Sequence, residues 1–154
     1  MKPFRQWKWG ILPSYNGFTH EERVHVWQLQ SWFCDNGWMA KPKVCSISGR
    51  TDRVAWHSEN YFGWPKSTFS VQQGIHLSLH ARYKNPHAWL KIVSQYAVTG
   101  DEWFARLPMV RVDIAGPLRA AYGPQISNIF ARAPVPEGVG IPHHQIYRQP
   151  LAAE

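Results

Sequence analysis

The strongest local signal in this chain is the helix that begins at Thr19. Thr19 and Glu22 have the spacing of a capping box, and Glu21 and Glu22 place negative charge at the positive end of the helix dipole. Val24, Trp27, Leu29, Trp32 and Phe33 recur near helical spacing, Val26 widens the stripe, and Gly37 after Asn36 is a natural stop. The spacing predicts a helix over 19–36 whose Trp-rich face is core. Most of the remaining chain is cut into short pieces by Pro and Gly, so that helix has to be packed by short elements.

Composition sets the class. Nine Trp, seven Phe and six Tyr imply an aromatic core, with some rings left over for a surface. The chain is long enough for one domain without disulfides, and we place that domain at 1–133. Seventeen Lys and Arg against ten Asp and Glu give a formal charge of +7, which favours a polyanionic partner, DNA or RNA first. Cys34 and Cys45 make no C-x-x-C motif and no disulfide framework, which suits a reducing cytoplasm. The first ten residues carry Lys2, Arg5 and Lys8 without an apolar run, and no segment approaches the ~18 apolar residues of a membrane span. Nucleotide-binding glycine loops and the H-E-x-x-H zinc-protease motif are absent from the sequence.

Past the connector at Trp38–Pro42, Val44–Ile47 and Arg53–Trp56 read as two short strands joined by Ser48–Asp52, with Gly49 at the turn. His57 follows the second strand. Tyr61–Gly74 reads as a loop, and Ile75–Tyr83 as a short helix carrying His76 and His80 on one face. Asn85-Pro86 is an N-cap followed by a first-turn proline, opening a packing helix over 85–99. Asp101–Leu107 suits another helical turn and Met109–Ile114 a strand. Residues 134–154, rich in Pro, Gly and His, read as an extended or partner-dependent tail.

Two imidazoles four apart on a helix can chelate one divalent ion, and a strand-end histidine can complete the set. Glu59, two residues beyond His57, is placed to ligate or to move a proton. Three quoted stretches, Val44-Cys45-Ser46-Ile47-Ser48-Gly49, Trp56-His57-Ser58-Glu59-Asn60-Tyr61 and His76-Leu77-Ser78-Leu79-His80-Ala81-Arg82-Tyr83, together resemble the HNH, or His-Me finger, endonuclease superfamily, closest to its phage- and plasmid-type members. The resemblance spans about 40 of the 154 residues.

It implies an α+β domain with a ββα centre over 43–84, flanked by aromatic-rich helices. It also implies a divalent metal (Mg, Mn or Zn) and phosphodiester cleavage. By position, His57 falls at the strand end as metal ligand or base, His76 at the middle, base-orienting position, and His80 as the helix ligand. The catalytic candidates are therefore His57, His76 and Glu59, and the metal ligands His57 and His80. Arg50, Arg53, Lys66, Arg82 and Lys84 flank the site in sequence and are candidate phosphate contacts, and Tyr61, Phe62 and Trp64 are candidates for base stacking. The family's zinc knuckle is reduced to Cys45, with Ser48, Gln72 and Ile75 at the other thiolate positions, so no structural zinc is expected. Where His57 is the ligand, Ser58 is a poor base, and a catalytically inactive member that acts on a protein partner is the alternative.

Overall fold

The computed structural model describes residues 1–150. In chain order the elements are α1 (His20–Asp35), β1 (Val54–Ser58), β2 (Thr68–Gln72), α2 (Gln73–Ala81), α3 (Pro86–Gln95), the single-turn α4 (Asp101–Phe104) and α5 (Ala115–Tyr122). Short 3-10 turns occur at Tyr61–Gly63, Pro124–Ser127, Ile129–Arg132 and His143–Gln145. Helices and one two-stranded antiparallel sheet make this an α+β composition. Among the described residues no helix is long and apolar enough to cross a membrane. The chain divides into two compact units: Met1–Ala40 with Asn60–Ser67 and the segment from Asp113 onward, and Lys41–Glu59 with Thr68–Val112.

The first unit is organised by α1. Its capping box forms in full: the Thr19 hydroxyl accepts from the Glu22 amide at 3.2 Å, and the Glu22 carboxylate accepts from the Thr19 amide at 3.0 Å. Val24, Leu29 and Trp32 are completely buried, and Phe4 packs edge-on against Trp32 at 4.5 Å. Trp27 is only half-buried and meets Trp7 and Trp9 edge-on.

Tyr61, Phe62 and Trp64, the candidates for base stacking, are core here, pinning the loop that carries them. Tyr61 and Phe62 pack on Phe18, and Trp64 packs on Phe33. The tail also departs from expectation over its described part. Ile146 is buried, the Tyr147 amide donates to Gln28 Oε1 at 2.9 Å, and Gln28 donates back to the Gln145 carbonyl at 3.2 Å. Buried polar atoms on α1 thus find their partners in the C-terminal segment.

The second unit is built on the hairpin. β1 and β2 pair antiparallel, with Val54 opposite Gln72, His57 opposite Phe69 and Ser58 opposite Thr68. The expected strand at Val44–Ile47 is instead a turn. There the Cys45 amide bonds the Arg50 carbonyl, Gly49 bonds Cys45, and Ser46 reaches the Ser70 carbonyl of β2. The true partner of β1 lies in the segment read as a loop. In Thr68–Gln72, Phe69 and Val71 point inward while Thr68 and Ser70 are half-exposed, the alternation of a half-buried strand.

α2 follows β2 without a break, because Gln72 folds its side chain over the Gly74 and Ile75 amides as an N-cap. The core of this unit is Ile47, Val71, Leu79 and Trp89, all essentially inaccessible. Trp103 stacks on Phe69 with centroids 4.5 Å apart. α3 starts as expected, with Asn85 capping Ala88 and Pro86 in the first turn, but it ends at Gln95. Met109–Ile114 forms no strand.

Candidate metal centre

Each histidine is placed by a different local rule. His57 is the penultimate residue of β1, and strand alternation turns it into the second unit, where its ring lies edge-on to Phe69 at 5.2 Å. It is 2% exposed. His76 and His80 sit one helical turn apart on α2, which Ile75 and Leu79 seat into the core. The two elements meet with His57 Nδ1 3.1 Å from His76 Nε2, and His80 Nε2 3.2 Å from the same His76 nitrogen. One ring nitrogen from each of the three lies within 4.8 Å of both others.

These distances fit a metal site. With metal–nitrogen bonds of 2.0–2.1 Å, neighbouring ligand atoms stand about 3.3 Å apart in a tetrahedron and about 3.0 Å apart in an octahedron. The observed 3.1 and 3.2 Å fall between the two.

The other nitrogen of His57, Nε2, lies 2.8 Å from Glu59 Oε2. A carboxylate only accepts, so Nε2 carries a proton, and Nδ1 of a neutral ring would present its lone pair to His76. A proton on His76 Nε2 could serve that lone pair, but it would then have to be shared with His80. A cation bound by all three nitrogens would resolve both contacts.

Behind Glu59 stands Arg82. Its Nη2 is 3.5 Å from Glu59 Oε1, and its side chain is wholly buried. Nε donates to the Pro108 carbonyl at 2.8 Å, Nη1 to the Leu79 carbonyl at 2.9 Å and Nη2 to the Tyr83 hydroxyl at 2.7 Å. Tyr83 lies between the Arg82 and Arg111 guanidiniums, each over its ring. Burial pushes its hydroxyl above the usual tyrosine range, helped by the charge of Glu59 and opposed by the two arginines.

The expected site residues divide accordingly. His57, His76 and His80 come together, with His76 among the converging nitrogens as well as His80. Glu59 contacts His57 rather than joining the ring of nitrogens. Arg82 is corrected: a fully buried guanidinium with its donors turned inward is no surface contact for a phosphate. Arg50, Arg53 and Lys84 are exposed. Arg50 forms a two-pronged pair with Asp52 at 2.9 and 2.8 Å, and this holds the Asp52 carboxyl below its ordinary range. Lys66 is exposed in the first unit.

The knuckle positions have other duties: Gln72 caps α2, Ile75 is core, and the buried Cys45 sulfur accepts from the Ser48 amide at 3.4 Å. Sequence reasoning missed Pro108 and Arg111, which carry no motif, and gave no role to Tyr83, which closes the quoted helix stretch. No protein-family model, curated protein or solved structure matches this chain.

Proposed function

We propose that the second unit is an HNH-like, His-Me finger centre that holds a divalent transition metal and acts on nucleic acid. The convergence of three imidazole nitrogens from β1 and α2 carries the reading. A strand, strand and helix in that order, with one histidine on the first strand and two on the helix, support the reading, although the hairpin pairs β1 with β2 and is not the Val44–Trp56 hairpin that the resemblance implies. An all-nitrogen donor set favours zinc or a neighbouring imidazole-binding transition ion such as iron, nickel or copper. Magnesium prefers oxygen ligands and retained waters. When bound, such a cation supplies Lewis acidity at a phosphoryl oxygen.

Charge supports a polyanionic partner for this unit in particular. It carries nine Lys and Arg against four Asp and Glu, a net +5 of the chain's +7. Two of its acids are already engaged, Glu59 with His57 and Arg82, and Asp52 with Arg50.

The experiment is plasmid nicking by the metal-stripped chain with Zn²⁺, Mn²⁺ or Mg²⁺ added back. Nicking that requires a transition ion and disappears in His57→Ala and His80→Ala supports the cleavage reading. Nicking that survives both substitutions removes it. A second reading, a non-cutting HNH-fold binding protein, is favoured by Ser58. The residue beside His57 is a buried hydroxyl with no hydrogen-bond partner, a poor base. That protein would bind DNA with a steep salt dependence and leave it intact.

A further inference from the structure

We infer that Glu59 and Arg82 form a buried positioning pair that fixes which ring nitrogen His57 presents, and so sets the affinity of the three-histidine centre for its cation. The inference rests on the metal-centre reading above and assigns Glu59 a role different from general acid, general base or ligand.

The argument begins at Arg82. A buried guanidinium needs a counter-charge and partners for its N–H groups. Three neutral acceptors, the Pro108 and Leu79 carbonyls and the Tyr83 hydroxyl, take hydrogen bonds. The counter-charge is Glu59, at 3.5 Å. One carboxylate oxygen thus faces Arg82, while the other accepts the Nε2 proton of His57 at 2.8 Å. A carboxylate held in this way cannot donate, so the His57 proton stays on Nε2 and its Nδ1 lone pair faces His76. A ligating histidine whose far nitrogen is anchored by a carboxylate is oriented and made more basic.

Arg82 also bears on the helix. The carbonyl it bonds belongs to Leu79, in the last turn of α2 and next to His80. One guanidinium therefore braces the helix that carries two ligands and, through Glu59, the strand ligand as well. This explains why a charged side chain is wholly buried beside the cluster.

The test uses the full chain stripped of metal, with Zn²⁺ as the probe in competition with a chromophoric chelator. The ring nitrogens of His57 are read by ¹⁵N NMR before zinc is added. In the wild type we expect the metal-free His57 proton on Nε2. Glu59→Gln keeps an acceptor oxygen and should hold that tautomer with a modest loss of zinc affinity. Glu59→Leu should let the tautomers mix and lower zinc affinity by about 10–100-fold; because it also strands Arg82 and lowers the melting transition, affinity is read below that transition, where circular dichroism shows the metal-free protein folded. Equal zinc affinity in wild type and Glu59→Leu overturns the positioning role alone, as does a wild-type His57 proton found on Nδ1. Failure of the wild type to bind zinc overturns the metal-centre reading itself.

Discussion

Replacing His76 with glutamine should have effects of opposite sign with and without metal. His76 is the hub of the cluster, its Nε2 standing 3.1 Å from His57 and 3.2 Å from His80. With zinc at a hundredfold excess over its dissociation constant, a site present only in the folded chain adds about 2.7 kcal/mol of stability. At roughly 2–4 °C per kcal/mol for a chain of this size, the melting transition should rise by about 5–11 °C. His76→Gln removes one nitrogen of three and should abolish most of that rise.

Without metal the sign reverses. The wild type crowds three imidazole rings together, whereas the variant offers an amide that can both donate and accept. It should melt at or above wild type, by up to about 1 kcal/mol, the net scale of one hydrogen bond. The assay is thermal denaturation of both proteins in chelator and in buffered zinc. An equal loss of stability under both conditions would refute the reasoning, because the triad would then be an ordinary hydrogen-bonded cluster in the core.

Two further outcomes follow from burial. Desolvation lowers the His25 pKa, against the opposing pull of the Tyr147 carbonyl and Glu21. Its contribution to stability is therefore intact above the unfolded histidine value of about 6.5 and is lost as pH falls from there toward the depressed folded value. Melting in chelator between about pH 7.5 and about pH 5.5 should show a shallower acid loss in His25→Gln than in wild type, and identical slopes would contradict it. Leu79 is fully buried on α2 between the two helix histidines. Leu79→Ala should cost about 2–5 kcal/mol of stability and weaken zinc binding in the fraction still folded. Unchanged zinc affinity in that fraction would show that packing beneath α2 does not position the ligands.

The legible parts of this protein are those whose physics is local. The Thr19–Glu22 capping box and the Asn85-Pro86 helix start are contacts across three residues, and both form. The pairing of His76 with His80 needs only the helical repeat. The hairpin depends on a partner beyond a long connection. Ser48–Asp52 looks like a hairpin turn, and Gly49 does take φ +75°, but that turn closes through the Cys45 and Arg50 backbone and leaves Val44 exposed. The true partner, Thr68–Gln72, alternates over only five residues after a stretch of Gly, Pro and Ser that masks it. Arg82 could not be assigned from its neighbours, since its burial depends on Pro108 and Glu59, both distant in sequence. The C-terminal segment was obscured by composition: Pro and Gly argued for a free tail, while Ile146 and Tyr147 supply an apolar contact and a backbone donor for α1.

The convergence of the three histidines also bears on which of the two proposed activities the chain can support. If all three imidazoles ligate, none in the cluster is left to take a proton from water. Glu59 is held between His57 and Arg82, so drawing it into proton transfer would strand a buried guanidinium, a costly step. Ser58 offers only a buried, neutral hydroxyl. The acidity of the nucleophile would then have to come from the cation itself, which zinc supplies far more strongly than magnesium. The choice of metal in the nicking experiment is therefore decisive: inactivity with magnesium alone is what either reading expects, and only the transition ions separate a cutting centre from one that binds without cutting.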